Sequence, residues 1–223
     1  MGANPVDPAA GPTSARANGP SLQELPEARR QARERILAGR QVDNADKILS
    51  LYEPDVHVIV RKKAGAPVEF GNTLLLGENP QGVIVDWELF KDSAPADSKL
   101  LPGSVGRMEK IYGPLKALGA DRGFDNLVNR EGLAEDGICN GVCPRSPTAL
   151  KKRMRSPKFR ELQRRRAQTE GRIGIIKNVF LRGRPRCKGF TNRNLTITWT
   201  VLVHNLWVIA RLPRKAATKA AAA

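Results

Sequence analysis

The chain has 223 residues, 40% of them hydrophobic and 27% charged, with a formal net charge of +16, which is long enough for one ordinary core plus extensions. Three cysteines, an odd number, without an apolar leader in residues 1–20 argue against a disulfide framework and a secretory signal and favour a reducing cytoplasm, and the longest apolar run, residues 195–210, is broken by Thr196, Thr198, Thr200, His204 and Asn205 and falls short of a membrane span. The charge is concentrated: the last 73 residues hold 20 Lys and Arg against Glu161 and Glu170, while residues 1–150 hold 18 basic and 20 acidic side chains, so a polyanion is the natural partner of the C-terminal third.

In chain order, residues 1–20 are rich in Pro, Gly and Ala and are expected to be disordered. Residues 21–51 are expected to be helical in two pieces, with Asp43 or Asn44 capping the second. A short strand is expected over 56–60. The apolar runs 68–76 and 83–90 flank the turn-rich segment 77–82 and predict an antiparallel hairpin. A helix follows over 98–112, then a strand over 115–120 that delivers Asp121 into a loop. Residues 126–135 predict a helix and 137–142 a strand. Residues 157–180 predict a long basic helix ended by Gly183-Arg184-Pro185, and 195–212 an apolar final helix in which Trp199 and Trp207 pack into the core. The residues beyond Pro213 form a basic tail, expected to be disordered.

Two carboxylates stand out. Asp121 at a strand end and Glu170 on a helix are the kind of rigidly held oxygen ligands that hard divalent cations such as Mg²⁺ take, and two such ions clamp the attacking and leaving oxygens of a phosphodiester. A purely structural reading has Asp121 capping the next turn and Glu170 pairing with Arg166 four residues before it. Arg166, Glu170 and Lys177 stand at i, i+4 and i+11, near one helix face, with Gly174 leaving room for a backbone to approach. Arg164, Arg165 and Arg172 extend the cationic surface of the same helix.

The run Ala120-Asp121-Arg122-Gly123-Phe124-Asp125, followed by Arg166-x3-Glu170-x6-Lys177, resembles the second and third acidic blocks of bacterial insertion-sequence transposases of the DDE type. Segments 68–90, 140–144 and 189–212 are also similar, so the resemblance covers residues 45–213. It implies a ribonuclease-H-like α/β fold, a mixed sheet with flanking helices, divided as a disordered 1–20, a helical segment 21–51 from an insertion, a catalytic remainder 52–213 and a tail 214–223. It implies Mg²⁺ or Mn²⁺ held by Asp121 and Glu170, and Arg166, Lys177, Arg164, Arg165 and Arg172 on DNA. The implied partners are double-stranded transposon ends and target DNA, with self-association or association with a full-length transposase, at the bacterial nucleoid and away from membranes.

The pattern departs at two places. Gln163 stands where many relatives carry Tyr, and the first catalytic Asp, on an early strand, has no counterpart before residue 21. Asp86 in Val83-Ile84-Val85-Asp86-Trp87 is the one strand Asp available as a substitute, although alternation places it on a solvent face. The resemblance therefore implies a C-terminal portion with two of three acidic ligands, weakly active or inactive. The rival readings are a non-catalytic DNA-binding remnant that inhibits a full-length transposase, and an unrelated basic RNA-binding protein. A zinc site from Cys139, Cys143, Cys187 and His204 has spacing at the edge of finger patterns.

Overall fold

The computed structural model describes residues 21–43, 46–51, 53, 55–63, 66–183 and 187–212. The expected disordered segments 1–20 and 214–223, the Asn44 cap and Arg184-Pro185 lie outside them. The chain forms two compact units that divide between Glu69 and Phe70.

In the first unit, helix α1 (Ser21–Ile36) is followed by irregular chain, so the second expected helix does not form among the described residues. Gln31 supplies the reason. This buried amide donates to the Asp46 carbonyl at 2.7 Å and accepts from the Ile48 N–H at 3.1 Å. It thereby takes the backbone groups a helix would need, in a segment too short to offset helix nucleation. Strand β1 (His57–Lys63) pairs with β2 (Ala66–Gly71).

The second unit is a mixed α/β arrangement. The hairpin forms with its second arm as expected and its first arm shortened, residues 68–71 belonging to β2: β3 (Leu74–Glu78) and β4 (Ile84–Leu89) pair antiparallel with Leu76 opposite Trp87. The Asn79 carboxamide sets the turn by accepting from the N–H groups of Gln81 and Val83, both at 3.0 Å, and Gly82 takes a positive φ of 85°. Helix α2 (Asp97–Tyr112) leads to β5 (Ala117–Ala120), α3 (Leu127–Glu135) and β6 (Cys139–Val142). β5 and β6 are parallel, with Gly119 beside Gly141. Among the described residues the strands make three two-stranded sheets in place of the single mixed sheet expected.

Helix α4 (Pro147–Arg153), not foreseen from the sequence, precedes α5 (Pro157–Ile175). Each starts at a Ser N-cap followed by Pro, a combination that fixes a helix start. The long basic helix ends in a π turn, Ile176–Phe180, where the Leu181 N–H reaches back five residues to the Ile176 carbonyl at 2.9 Å. Helix α6 (Phe190–Ile209) closes the unit.

Two apolar clusters hold these elements. Leu101, Val105, Leu133, Ile138 and Val142 join α2 and α3 to the β5–β6 pair. Ile84, Ile176, Ile197 and Val201 join the hairpin to the π turn and α6. Asn205 on α6 adds a polar clasp, its carboxamide accepting from the Ile84 N–H and donating to the Ile84 carbonyl, each at 2.8 Å. Trp199 and Trp207 depart from expectation: they are 58% and 36% exposed rather than in the core, Trp207 lying against Phe180 and Arg211.

Candidate functional site

The site is built by two glycines. A side chain at Gly119 would meet the Leu162 carbonyl at 3.1 Å, and one at Gly141 would meet the Leu162 side chain and the Leu118 carbonyl at 2.7 Å. Their bare backbone lets α5 lie directly on β5 and β6. From that contact, four residues of helix rise about 6 Å and two residues of strand about 6.6 Å. Arg166 therefore arrives at the level of Asp121.

The guanidinium of Arg166 joins the two carboxylates. Its Nη1 is 2.7 Å from Glu170 Oε1 and 3.4 Å from Asp121 Oδ1. Asp121 also caps the short 3-10 turn Arg122–Phe124 by accepting from the Arg122 N–H at 2.7 Å. Both carboxylates are 64% exposed and Arg166 is 26% exposed. Exposed pairs of this kind contribute roughly 0–1 kcal/mol each. The triad is thus a poor stabiliser, and its carboxylates can exchange the guanidinium for another cation at little cost.

The loop that carries Asp121 is fixed by its neighbour. Asp125, buried to 2% exposure, takes Arg130 in a two-point ion pair at 2.7 and 2.6 Å and accepts from the Arg145 N–H at 2.8 Å. The Arg130 guanidinium holds the Asp125 carboxyl below its ordinary range, against the opposing effect of burial. Gln163, at the position of the Tyr in the resembling pattern, donates to the Gly141 carbonyl at 2.7 Å and ties α5 to β6.

The remaining site residues are placed as follows. Asp86 is buried rather than on a solvent face, because its side of β4 is covered by α2. There it binds Arg107 at 2.7 and 2.9 Å and the Ser104 hydroxyl at 2.6 Å. Breaking such a pair costs about 3–5 kcal/mol, which keeps Asp86 committed to α2. Arg172 pairs with Glu78 at 3.2 Å and lies against Gly82, while Arg165 donates to the Pro80 carbonyl. Both hold the hairpin turn to α5. Arg164 is exposed, and Lys177 is exposed in the π turn. Gly174 has open space around it, with no backbone approaching.

The exposed cations crowd earlier than the motif suggested. Lys151 and Lys152 on α4, Arg155 between the helices, and Lys158, Arg160 and Arg164 on α5 are all exposed. The signal was the run Lys151-Lys152-Arg153-x-Arg155. Arg153 within it is different: it sits 4.3 Å over the Phe159 ring and donates to the carbonyls of Asn140 and Val142.

Among the described residues no three His, Cys, Asp or Glu side chains gather as a metal site. That includes the zinc candidates: Cys139 is exposed, Cys143 buried and Cys187 half-buried, and His204 is buried against Phe180 and Trp207. No helix among the described residues is long and apolar enough to cross a membrane. No family model, curated protein or solved structure matches this chain.

Proposed function

We propose that this chain is a DNA-binding relative of the DDE-type transposases, with a ribonuclease-H-like second unit and an acidic site reduced to Asp121 and Glu170. One observation carries the reading. Residues 45 positions apart, a carboxylate at the end of a parallel strand and the Arg166 that pairs with Glu170, meet because α5 lies on two strand glycines. The order hairpin, α2, β5, β6 and long helix supports the fold reading.

The exposed Lys and Arg of α4 and α5 grip the DNA backbone, releasing condensed counterions. Asp121 and Glu170 suit a Mg²⁺ or Mn²⁺ ion that completes its shell with water and phosphate oxygens. Bound there, the ion would polarise a phosphodiester toward hydrolysis. Arg166, released from the carboxylates, and Lys177, exposed about two turns further on, would hold the strand. No third carboxylate joins the pair among the described residues, so strand cleavage is weak or absent while DNA binding is intact.

The test is nicking of supercoiled plasmid in Mn²⁺ and Mg²⁺ by the wild type, Asp121→Ala and Glu170→Ala. The expected result is wild-type nicking at or barely above the two variants, with all three proteins shifting duplex DNA in a gel. Robust wild-type nicking that survives both substitutions would contradict the assignment of the site, and failure of all three to bind DNA would contradict the function.

A further inference from the structure

Helix α6 is apolar on two opposite faces. One is spent on the fold: Ile197, Thr200, Val201, His204 and Val208 are all buried. On the other, Leu195, Trp199, Leu202, Leu206 and Ile209 are between 45% and 58% exposed. At ~100° per residue these five fall in one narrow stripe opposite the buried face. Their spacing, 4-3-4-3, is the seam that a second helix fills in a two-stranded packing, since only a partner helix reads a 3.5-residue repeat. A helix hydrophobic all round belongs in an interior, and among the described residues one side only is covered.

We infer that this stripe is the self-association surface of the protein, and that its occupant is α6 of a second copy. Charge argues for the second copy. The C-terminal third holds 20 cations against two acids, so two copies repel each other unless they meet along a stretch without charge. Across Phe190–Ile209 the one charged residue is Arg193, whose angular position is far from the stripe. The positions flanking the seam, including Thr198 and Asn205, are neutral and self-compatible, and they lack the charges by which a helix selects a different partner.

Area points the same way. At ~200 Å² for a large side chain, the five residues leave on the order of 500 Å² in water per copy, at the upper end of what a monomer's largest apolar patch exposes. Two copies then bury about 1,000 Å², the size at which a specific interface becomes stable. The partner face of α6 is already docked, so the seam is presented pre-ordered and its association costs little conformational entropy. The inference rests on exposure, spacing, charge and area and holds whether or not the chain binds DNA.

The experiment is light scattering on the full chain during size-exclusion chromatography in high salt and nuclease, over a range of loading concentrations. The wild type is expected to run at twice the 24.4 kDa chain mass, with Leu202→Glu and Leu206→Glu each at the single mass and with an unchanged far-ultraviolet circular-dichroism spectrum. Tryptophan emission of a variant with Trp87 and Trp207 changed to Phe, in which Trp199 is the one reporter, is expected to shift to the red on dilution, which reads the same event with the stripe intact. A wild type of single mass at every concentration would overturn the inference. So would a dimer that survives both substitutions, or an equal red-shifted emission at all concentrations that moves to the blue only on adding phosphatidylcholine vesicles.

Discussion

His204 shows how one side chain ties stability to pH. It is fully buried, with Nδ1 3.3 Å from the Asn205 amide oxygen, and because that oxygen only accepts, the ring's proton sits on Nδ1. Its Nε2 has no hydrogen-bond partner among the described residues, and the ring packs edge-on to Phe180 at 5.6 Å. Burial therefore holds the imidazole below its ordinary pKa. A folded value below the unfolded one means that the unfolded chain binds more protons between the two. The stabilisation is complete above about pH 6.5 and is lost as the pH falls through the folded value. Thermal melts at about pH 7.5 and about pH 5.5 should show a lower midpoint in acid for the wild type, and a smaller loss in His204→Met. Equal losses in the two proteins would remove His204 as the cause. The place of His204 in an apolar final helix was legible in the sequence; its orphaned nitrogen was not, because that depends on which residues the other elements bring against it.

At the level of elements, α5 is the part on which the site depends, and its glycines divide by what surrounds them. Gly141 lies under Leu162 and beside the Leu118 carbonyl, whereas Gly171 and Gly174 face open space. Gly141→Ala should destabilise the fold by about 1–3 kcal/mol through overpacking, while Gly171→Ala should stabilise it by about 0.5–1 kcal/mol through helix propensity. Urea denaturation of the two variants checks both signs, and a neutral Gly141→Ala would mean that α5 does not rest on β6. The strands from β3 to β6 and helices α2, α3 and α5 were legible because short apolar runs and helical periodicity are set off there by turn residues, with Asn126 and Ser156 capping α3 and α5. The second helix expected before residue 51 failed because the Gln31 carboxamide claims its backbone, a contact between positions 15 and 17 apart that no local pattern carries. Helix α4 escaped because its seven residues are too few for a period to show. The convergence of Asp121 and Glu170 was suggested by motif spacing, but the shared guanidinium needed the β5–α5 contact.

For the whole molecule, charge and apolar surface lie on different helices of the C-terminal third: exposed cations on α4 and α5, an exposed apolar stripe on α6. On the proposed reading a DNA partner and a second copy would have separate places to bind, and a dimer would present two cationic surfaces to one duplex and gain in avidity. The central claim is that the cations bind DNA and the two carboxylates do not. It is tested most directly by fluorescence anisotropy of a labelled duplex titrated with the wild type, Glu170→Ala and a variant with Lys151, Lys152 and Arg155 changed to Ala, at low and moderate salt. With about four phosphate contacts, wild-type affinity should fall roughly 10²-fold from about 50 to about 200 mM salt. Glu170→Ala should bind at least as tightly as the wild type, and the triple variant more weakly with a shallower salt slope. Binding indifferent to salt, or lost in Glu170→Ala and kept in the triple variant, would contradict the account.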